Sequence, residues 1–261
     1  MGVGLPVHRL GLLRYLRGPD RWHVHGLALW VLLSYAFFMA VIVQERKPPL
    51  ETGIHGGWLL IVVSTESLCV LGATLGPALG PSATILLVSM LAYLLGAMLY
   101  IVLITLILYR WMFFTMTAEQ MMPPYWINMG ALAITTLAGT RLLRAQNHWG
   151  LLHDLAPFLT GFTLFFWAAG TWWIPLLLIV GIWRHRSRRV PLAYDPQYWS
   201  LVFPLGMYSA ATRMLGQATG IALLGSVSAV FLVLALAAWC ITSLGMIRNW
   251  IGPNALLRPG Q

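Results

Sequence analysis

Seven long apolar runs constrain the fold of this sequence more than any other feature. They cover residues 26–44, 57–77, 84–109, 124–140, 155–182, 198–216 and 221–247. About 20 residues of α-helix cross the hydrocarbon core of a bilayer, so each run is long enough or nearly so. The runs are continuous rather than alternating, and inside lipid the backbone must satisfy its own hydrogen bonds, which favours helices over a β-barrel. The sequence therefore predicts an all-α, polytopic membrane helix bundle with about seven transmembrane helices.

The charge content supports a lipid environment. Hydrophobic residues make up 59% of the 261 positions and charged residues 9%, whereas soluble domains carry about 25% charged residues. The formal net charge is +9, but the arginines lie in short stretches between the apolar runs, as is typical of charges that flank membrane spans. We therefore expect the lipid bilayer as the surrounding partner and no binding of nucleic acid.

The chain divides into one membrane domain and two short ends. Residues 26–247 form the predicted transmembrane domain, and residues 248–261 a C-terminal tail. Residues 1–25 hold four arginines and three histidines and no uninterrupted apolar core, so they do not look like a signal peptide. They are either a basic amphipathic segment at the interface or the remnant of a further helix.

The distribution of basic residues predicts the orientation in the membrane. Arg184, Arg186, Arg188 and Arg189 cluster in the connection between the fifth and sixth runs. The side of the membrane that carries this cluster also carries the C-terminus, and the positive-inside rule places that side in the cytoplasm. We expect a protein of the cell membrane (plasma or inner membrane) with a cytoplasmic C-terminus.

Polar, small and helix-breaking residues gather in alternate runs, the second, fourth and sixth. Such residues are tolerated at membrane depth where they line a water-filled cavity or are buried in protein. Close packing of helices through small residues is the simpler explanation for any single position, but the alternation favours a cavity. The candidates for lining a pore are Glu66, Ser67, Asn128, Gly130, Thr135, Thr136 and Arg213.

Glu66 and Arg213 are an acid and a base within apolar runs. A lone charge at the centre of a membrane helix costs about 2.5–3.5 kcal/mol on insertion scales, so each should face the interior of the protein. They could pair with each other, or each could have a separate role. Arg213 lies near the end of its run and could also extend to the interface.

Phe203-Pro204 is the sharpest local feature of the sixth run. Proline removes one helical hydrogen bond and clashes with the preceding turn, which predicts a kink or break. A phenylalanine ring beside a kink would close a pore that it faces, whereas the same ring facing lipid would have no such effect. Tyr208, about one turn further along, completes the candidate gate with Phe203 and Pro204.

No signal for enzymatic chemistry is present. All seven histidines fall at the ends of runs or in connections, whereas a membrane haem protein needs histidines on facing helices. The sequence lacks the common hydrolase, metalloprotease and phosphate-binding motifs. We therefore expect no enzyme activity, no metal and no cofactor.

Three segments resemble one family of membrane proteins. They are PPYWINMGALAITTLAG (123–139), FWAAGTWWIPLLL (166–178) and YWSLVFPLGMYSAAT (198–212). Together they are similar to the tellurite-resistance/C4-dicarboxylate transporter family, which includes the slow anion channels of plant guard cells. The similarity covers about residues 26–247.

The resemblance implies a specific architecture. Members of the family have ten helices arranged as five hairpins, with the odd helices around a central pore, and they form trimers. An aromatic residue of the ninth helix closes the pore, and Phe203 matches it, although Tyr198 and Trp199 leave that assignment open by a turn. The seven runs match the fourth to tenth helices, so the first three have no counterpart apart from residues 1–17 as a stub of the third, and the central pore would be incomplete.

We therefore expect an anion channel, or a transporter of the C4-dicarboxylate or tellurite type, that carries small inorganic or carboxylate anions and forms a homotrimer. The first alternative is a membrane scaffold that does not transport, or a truncated remnant of a pore. A membrane redox subunit is the second alternative.

Overall fold

The computed structural model describes residues 21–78 and 83–251, with side chains of the first helix from His25 onward. The predicted N-terminal segment 1–25 and C-terminal tail 248–261 therefore lie largely outside the described residues. Within the described ranges the chain is helical and contains no β-strand. The predicted all-α class is confirmed.

Seven long helices form the bundle in the described part of the chain. They are α1 (Arg21–Val43), α2 (Leu60–Leu75), α3 (Ala83–Phe113), α4 (Ile127–Ala145), α5 (Ala156–Ile182), α6 (Trp199–Thr219) and α7 (Ala222–Ile251). Short helices and turns cover Leu50–Gly53, Gly56–Leu59, Gly76–Ala78, Pro123–Trp126, Gln146–His148, Gly150–Asp154, Trp183–Ser187 and Pro196–Tyr198.

Each long helix corresponds to one apolar run, but several extend beyond it. Helix α4 continues to Ala145 and α7 to Ile251, past the predicted ends at 140 and 247. Hydropathy detects the part of a helix that lies in hydrocarbon, whereas arginine, leucine and alanine continue the helix beyond that part. Helix α6 likewise runs through Pro204 without a break.

Five helices of the described residues are long and apolar enough to cross a membrane by length and composition. They are His25–Val43, Gly56–Ala78, Ala83–Phe113, Ala156–Ser187 and Ala222–Ile251. Helices α4 and α6 fall outside this set, because they are the least apolar of the seven. Helix α4 is enclosed by other helices and α6 packs against three of them, which reduces the apolar surface that they must offer to lipid.

Helix α4 is the centre of the bundle, and it contacts α2, α3, α5 and α6. All of its residues except Arg141 and Arg144 are buried. Glycines allow this close packing: a Cβ atom at Gly130 would lie 2.7 Å from Cγ of Pro204, and one at Gly139 would overlap Oγ1 of Thr163. The polar and small residues of α4 thus lie on a helix that its neighbours enclose.

Helix α6 is fixed by three neighbours. Pro204 packs against Gly130 of α4. On α5, Trp167 donates a hydrogen bond to Thr212 (3.0 Å), and the Thr171 hydroxyl lies 2.7 Å from that of Tyr208. On α7, the hydroxyls of Ser209 and Ser228 each donate to the backbone carbonyl of the other residue. These contacts define the rotation of α6 about its axis.

Helices α1 and α7 form the outer part of the bundle, and both expose apolar side chains along most of their length. Trp30 of α1 donates a hydrogen bond to Thr65 of α2 (3.1 Å), and the rings of Phe37 and Trp58 meet edge to face. The remaining apolar surface of both helices is suited to lipid or to other membrane helices.

The contact between α4 and α6 gives a first prediction. Replacing Gly130 by alanine should lower the free energy of unfolding by about 1–3 kcal/mol, because the proline ring opposite cannot rotate away from the new methyl group. Gly206→Ala is the matched control, since a Cβ there meets nothing within 4 Å, and it should leave stability unchanged or raise it. Unfolding in mild detergent, followed by loss of helix signal, measures both. Equal stability of the two variants would contradict the packing of α6 on α4.

Candidate functional site

One face of α6 is exposed along the helix, and Phe203 lies on it. The residues of this face recur three or four positions apart, as one helical face requires. The face consists of the exposed Phe203, Ala210 and Gln217 and of Met207 and Met214, which are half-buried. Phe203 is 48% exposed, whereas the adjacent Pro204 is buried against α4. We call these five residues the open face of α6.

Arg213 is also exposed, at the edge of the open face of α6. Its neighbour Thr212 is fully buried and accepts the hydrogen bond of Trp167. The fixed position of Thr212 therefore turns the guanidinium of Arg213 away from the interior of the bundle.

Helix α2 carries a second exposed face with hydroxyl groups. Ser64, Ser67 and Thr74 are exposed on it, together with Leu60. Each hydroxyl donates to a backbone carbonyl of its own helix, at 2.9 Å for Ser64, 2.7 Å for Ser67 and 2.6 Å for Thr74. The hydroxyl protons are thus satisfied within the helix, and the polar side chains remain accessible from the open side.

A cavity of about 550 Å³ lies between α1 and the beginning of α2. Ser34, His55 and Ser64 supply its polar lining. Nδ1 of His55 accepts the backbone N–H of Gly57 (3.1 Å) and so caps the turn that leads into α2. Burial and the positive charge of Arg110 lower the pKa of His55, which favours the neutral ring that this bond requires.

The other predicted site residues on α4 and α6 are buried. Thr135 and Thr136 are fully enclosed and donate to the carbonyls of Ala131 (2.9 Å) and Leu132 (2.8 Å). Asn128 is fully buried, and its side-chain nitrogen and oxygen have no hydrogen-bond partner. Gly130, Pro204 and Tyr208 form the contacts that hold α6.

Glu66 lies in the packed interior between α2, α3 and α4. Its side chain is fully buried, and Gly96 of α3 is so close that a Cβ there would overlap Oε1 of Glu66. Thr135 faces the carboxyl group but donates its own proton to Ala131. Neither carboxyl oxygen has a hydrogen-bond partner. The possible pair of Glu66 with Arg213 is therefore not formed, because the acid is enclosed and the base is exposed.

Arg110 is a buried cation that the sequence did not single out. It is 3% exposed and donates to the carbonyl of Ile54 and to the hydroxyl of Tyr125 (2.9 Å). It thus joins the segment before α2 to the segment before α4. In the sequence, Arg110 stands at the end of an apolar run, as interfacial charges usually do. Only its contacts in the folded structure distinguish it from them.

No group of three or more His, Cys, Asp or Glu residues that could hold a metal ion is found in the described part of the chain.

The sequence profile of the SLAC1 family, described as voltage-dependent anion channels, matches residues 6–247. The chain belongs to this family. The predicted resemblance is confirmed, and the family is one of channels and transporters. No solved structure matches the chain.

The chain is also similar to several proteins that are named as uncharacterized. An uncharacterized membrane protein of Mycobacterium tuberculosis is 36% identical over 151 residues, which is 58% of this chain and 76% of the relative. One uncharacterized transporter of Methanocaldococcus jannaschii is 24% identical over 198 residues, 75% of this chain and 56% of that protein. A second uncharacterized transporter of this organism is 24% identical over 163 residues, which is 62% of this chain and 45% of that protein. Membrane association and membership of a transport family follow from these matches and from the apolar helices.

The buried carboxyl group gives a second prediction. Gly96→Ala should destabilise the bundle by about 1–3 kcal/mol because the new methyl group overlaps Glu66. Adding Glu66→Ala should recover part of this loss, so the two substitutions should be non-additive by at least about 0.5 kcal/mol. The free energies of unfolding of the wild type, both single variants and the double variant form the measurement. Strict additivity would show that Glu66 does not occupy the space beside Gly96.

Proposed function

We propose that this SLAC1-family protein contributes the wall of an anion pathway along the exposed faces of α2 and α6, and that Phe203 closes this pathway. The observation that carries the proposal is the chemistry of these faces. Hydroxyl groups on α2, and Gln217 and Arg213 on α6, are exposed on two helices that pack against the central helix α4. A cationic side chain is unfavourable in lipid, so a water-filled pathway is the favourable surrounding for it.

Arg213 and the hydroxyl groups have complementary roles in this proposal. The guanidinium of Arg213 attracts anions towards the pathway and repels cations. Ser67 and Thr74 donate to a dehydrated anion when their hydroxyl protons turn away from the helix carbonyls that they bond in this structure. The pathway then selects by charge and size without covalent chemistry.

Phe203 is suited to act as a movable block. Its ring is half exposed, so it can rotate without disturbing the core. The backbone beside it is fixed, because Pro204 is packed against Gly130 and Tyr208 bonds with Thr171. Pro204 and Tyr208 thus anchor the gate, and the buried Glu66, Asn128, Thr135 and Thr136 belong to the packing that supports it.

The proposed substrates are small inorganic or carboxylate anions, as in a channel or a C4-dicarboxylate or tellurite-type transporter. The described helices leave the faces of α2 and α6 open, so we propose that further helices, from this or another polypeptide, complete the wall. A homotrimer in the cell membrane with a cytoplasmic C-terminus is the proposed assembly, and the exposed apolar sides of α1 and α7 offer surface for it.

Removal of the proposed gate should increase anion flux. Phe203→Ala in purified protein reconstituted into liposomes should raise chloride or nitrate efflux severalfold over the wild type. Phe165→Ala is the matched control, because Phe165 is a ring of similar exposure (56%) on α5, and the flux of this variant should stay at the wild-type level. Unchanged flux in Phe203→Ala protein that folds normally would remove the gate assignment.

The same assay tests the proposed role of Arg213. In the Phe203→Ala background, Arg213→Gln should lower anion flux and the preference for anions over cations, whereas Arg248→Gln, at the end of α7, should change neither. Folded protein without flux in any variant would instead favour the role of a membrane scaffold.

A further inference from the structure

A largely apolar pocket of about 360 Å³ lies where the end of α5 meets the beginnings of α4 and α6. Leu177, Leu178, Gly181 and Ile182 of α5 form one side, and Leu201 of α6 contributes to the other. Leu178 and Ile182 are also exposed on the outer surface of α5. The pocket therefore borders the surface that faces lipid, and its volume is in the range of small-molecule sites.

The rim of this pocket is cationic. Arg184 and His185 line it, and Nε of Arg184 is enclosed without a hydrogen-bond partner. Arg184 also lines an adjoining polar pocket of about 220 Å³ that contains Glu119 and Asp195. A single arginine thus joins an apolar chamber to a polar one.

The surrounding charge is positive. Arg184, Arg186, Arg188 and Arg189 lie within one short stretch, and the two acids of the polar pocket, Glu119 and Asp195, oppose them. Asp195 is already engaged, since its Oδ1 accepts the backbone N–H of Gln197 (2.7 Å). Arg188 lies over the ring of Trp183, 5.3 Å from its centre. The remaining positive charge favours an anionic group at the rim.

Aromatic side chains mark the depth of the pocket. Tyr125, Trp126 and Tyr198 line it, and Trp183 follows the end of α5. Tryptophan and tyrosine are enriched where membrane proteins cross from hydrocarbon to the headgroup region. The apolar chamber is thus at the level of acyl chains, and Arg184 is at the level of phosphates.

From this arrangement we propose that the pocket binds one anionic phospholipid, with an acyl chain in the chamber and the headgroup phosphate on Arg184. The guanidinium of Arg184 supplies the donors to the phosphate, since Arg184 lines both pockets, and arginine suits phosphate because its donors form a planar fork. A bound lipid would hold the end of α5 against the beginnings of α4 and α6. The assignment depends on the pocket and its charge, and it is independent of conduction along α2 and α6.

Two substitutions separate the headgroup from the acyl chain. Arg184→Gln removes the cation, and Gly181→Leu fills the chamber, since a Cβ at Gly181 meets nothing within 4 Å. Arg186→Gln removes an exposed arginine of the same stretch that lines neither pocket. Gly161→Leu adds the same side chain to the same helix at another open position. The last two are the matched controls.

The measurement is native mass spectrometry of the purified protein supplied with phosphatidylglycerol or phosphatidylcholine, together with its melting temperature in each lipid. The wild type and both controls should retain one phosphatidylglycerol in preference to phosphatidylcholine and melt at a higher temperature with it. Arg184→Gln should lose the preference, and Gly181→Leu should lose the bound lipid. Helix content from circular dichroism shows whether each variant is folded. If Gly181→Leu does not fold, the comparison of Arg184→Gln with its control is the test.

Three outcomes would overturn the proposal. The first is equal retention of the two lipids by the wild type. The second is retention of phosphatidylglycerol by folded Arg184→Gln protein at the level of the Arg186→Gln control. The third is equal stabilisation by free glycerol phosphate, which would identify an anion site without an acyl chain.

Discussion

The rotation of α6 about its own axis is the constraint on which the proposed site depends. Pro204 is packed against Gly130 of α4, Tyr208 bonds with Thr171 of α5, and Ser209 is paired with Ser228 of α7. Since successive residues of a helix are about 100° apart, these contacts leave one sector of α6 uncovered. Pro204 faces α4, and Phe203 lies about 100° away from it around the helix, in the uncovered sector.

Helix α4 makes this arrangement possible. Its glycines let α6 and α5 approach closely, and its threonines satisfy their hydroxyls on their own helix. A helix so enclosed needs little apolar surface, which explains why it is among the least apolar of the seven. Polar composition therefore identifies the inner helices. On α4 the polar and small residues contribute to packing.

The sequence predicts much of the fold and only part of the site. Apolar runs identify all seven long helices, since the thickness of hydrocarbon determines how long an apolar stretch must be. The environment of each residue depends on its neighbours in space. Glu66 and Ser67 are adjacent in the sequence, yet one is enclosed against Gly96 and the other is exposed. The same holds for Phe203 and Pro204, so composition indicates the correct helices and leaves their orientation open.

Both proposals concern groups that are polar and accessible within a mostly apolar protein. Arg213 and the hydroxyls of α2 lie on inner helices, where water and anions are the suitable surroundings. Arg184 lies at the depth that tyrosine and tryptophan side chains mark, where lipid phosphates are available. Leu201 lines the lipid pocket two residues before Phe203, so an occupied pocket and the proposed gate share the first two turns of α6.

The accessibility of α6 to water tests the central claim most directly. In protein without its native cysteines, Phe203→Cys, Ala210→Cys and Gln217→Cys would each be reacted with a water-soluble, membrane-impermeant thiol reagent in liposomes. Val230→Cys and Val233→Cys, on the exposed apolar side of α7, are the controls. Rapid modification on α6 and slow modification on α7 is the predicted result. Equally slow modification on both helices would mean that α6 faces lipid or protein, and would contradict a pathway along its open face.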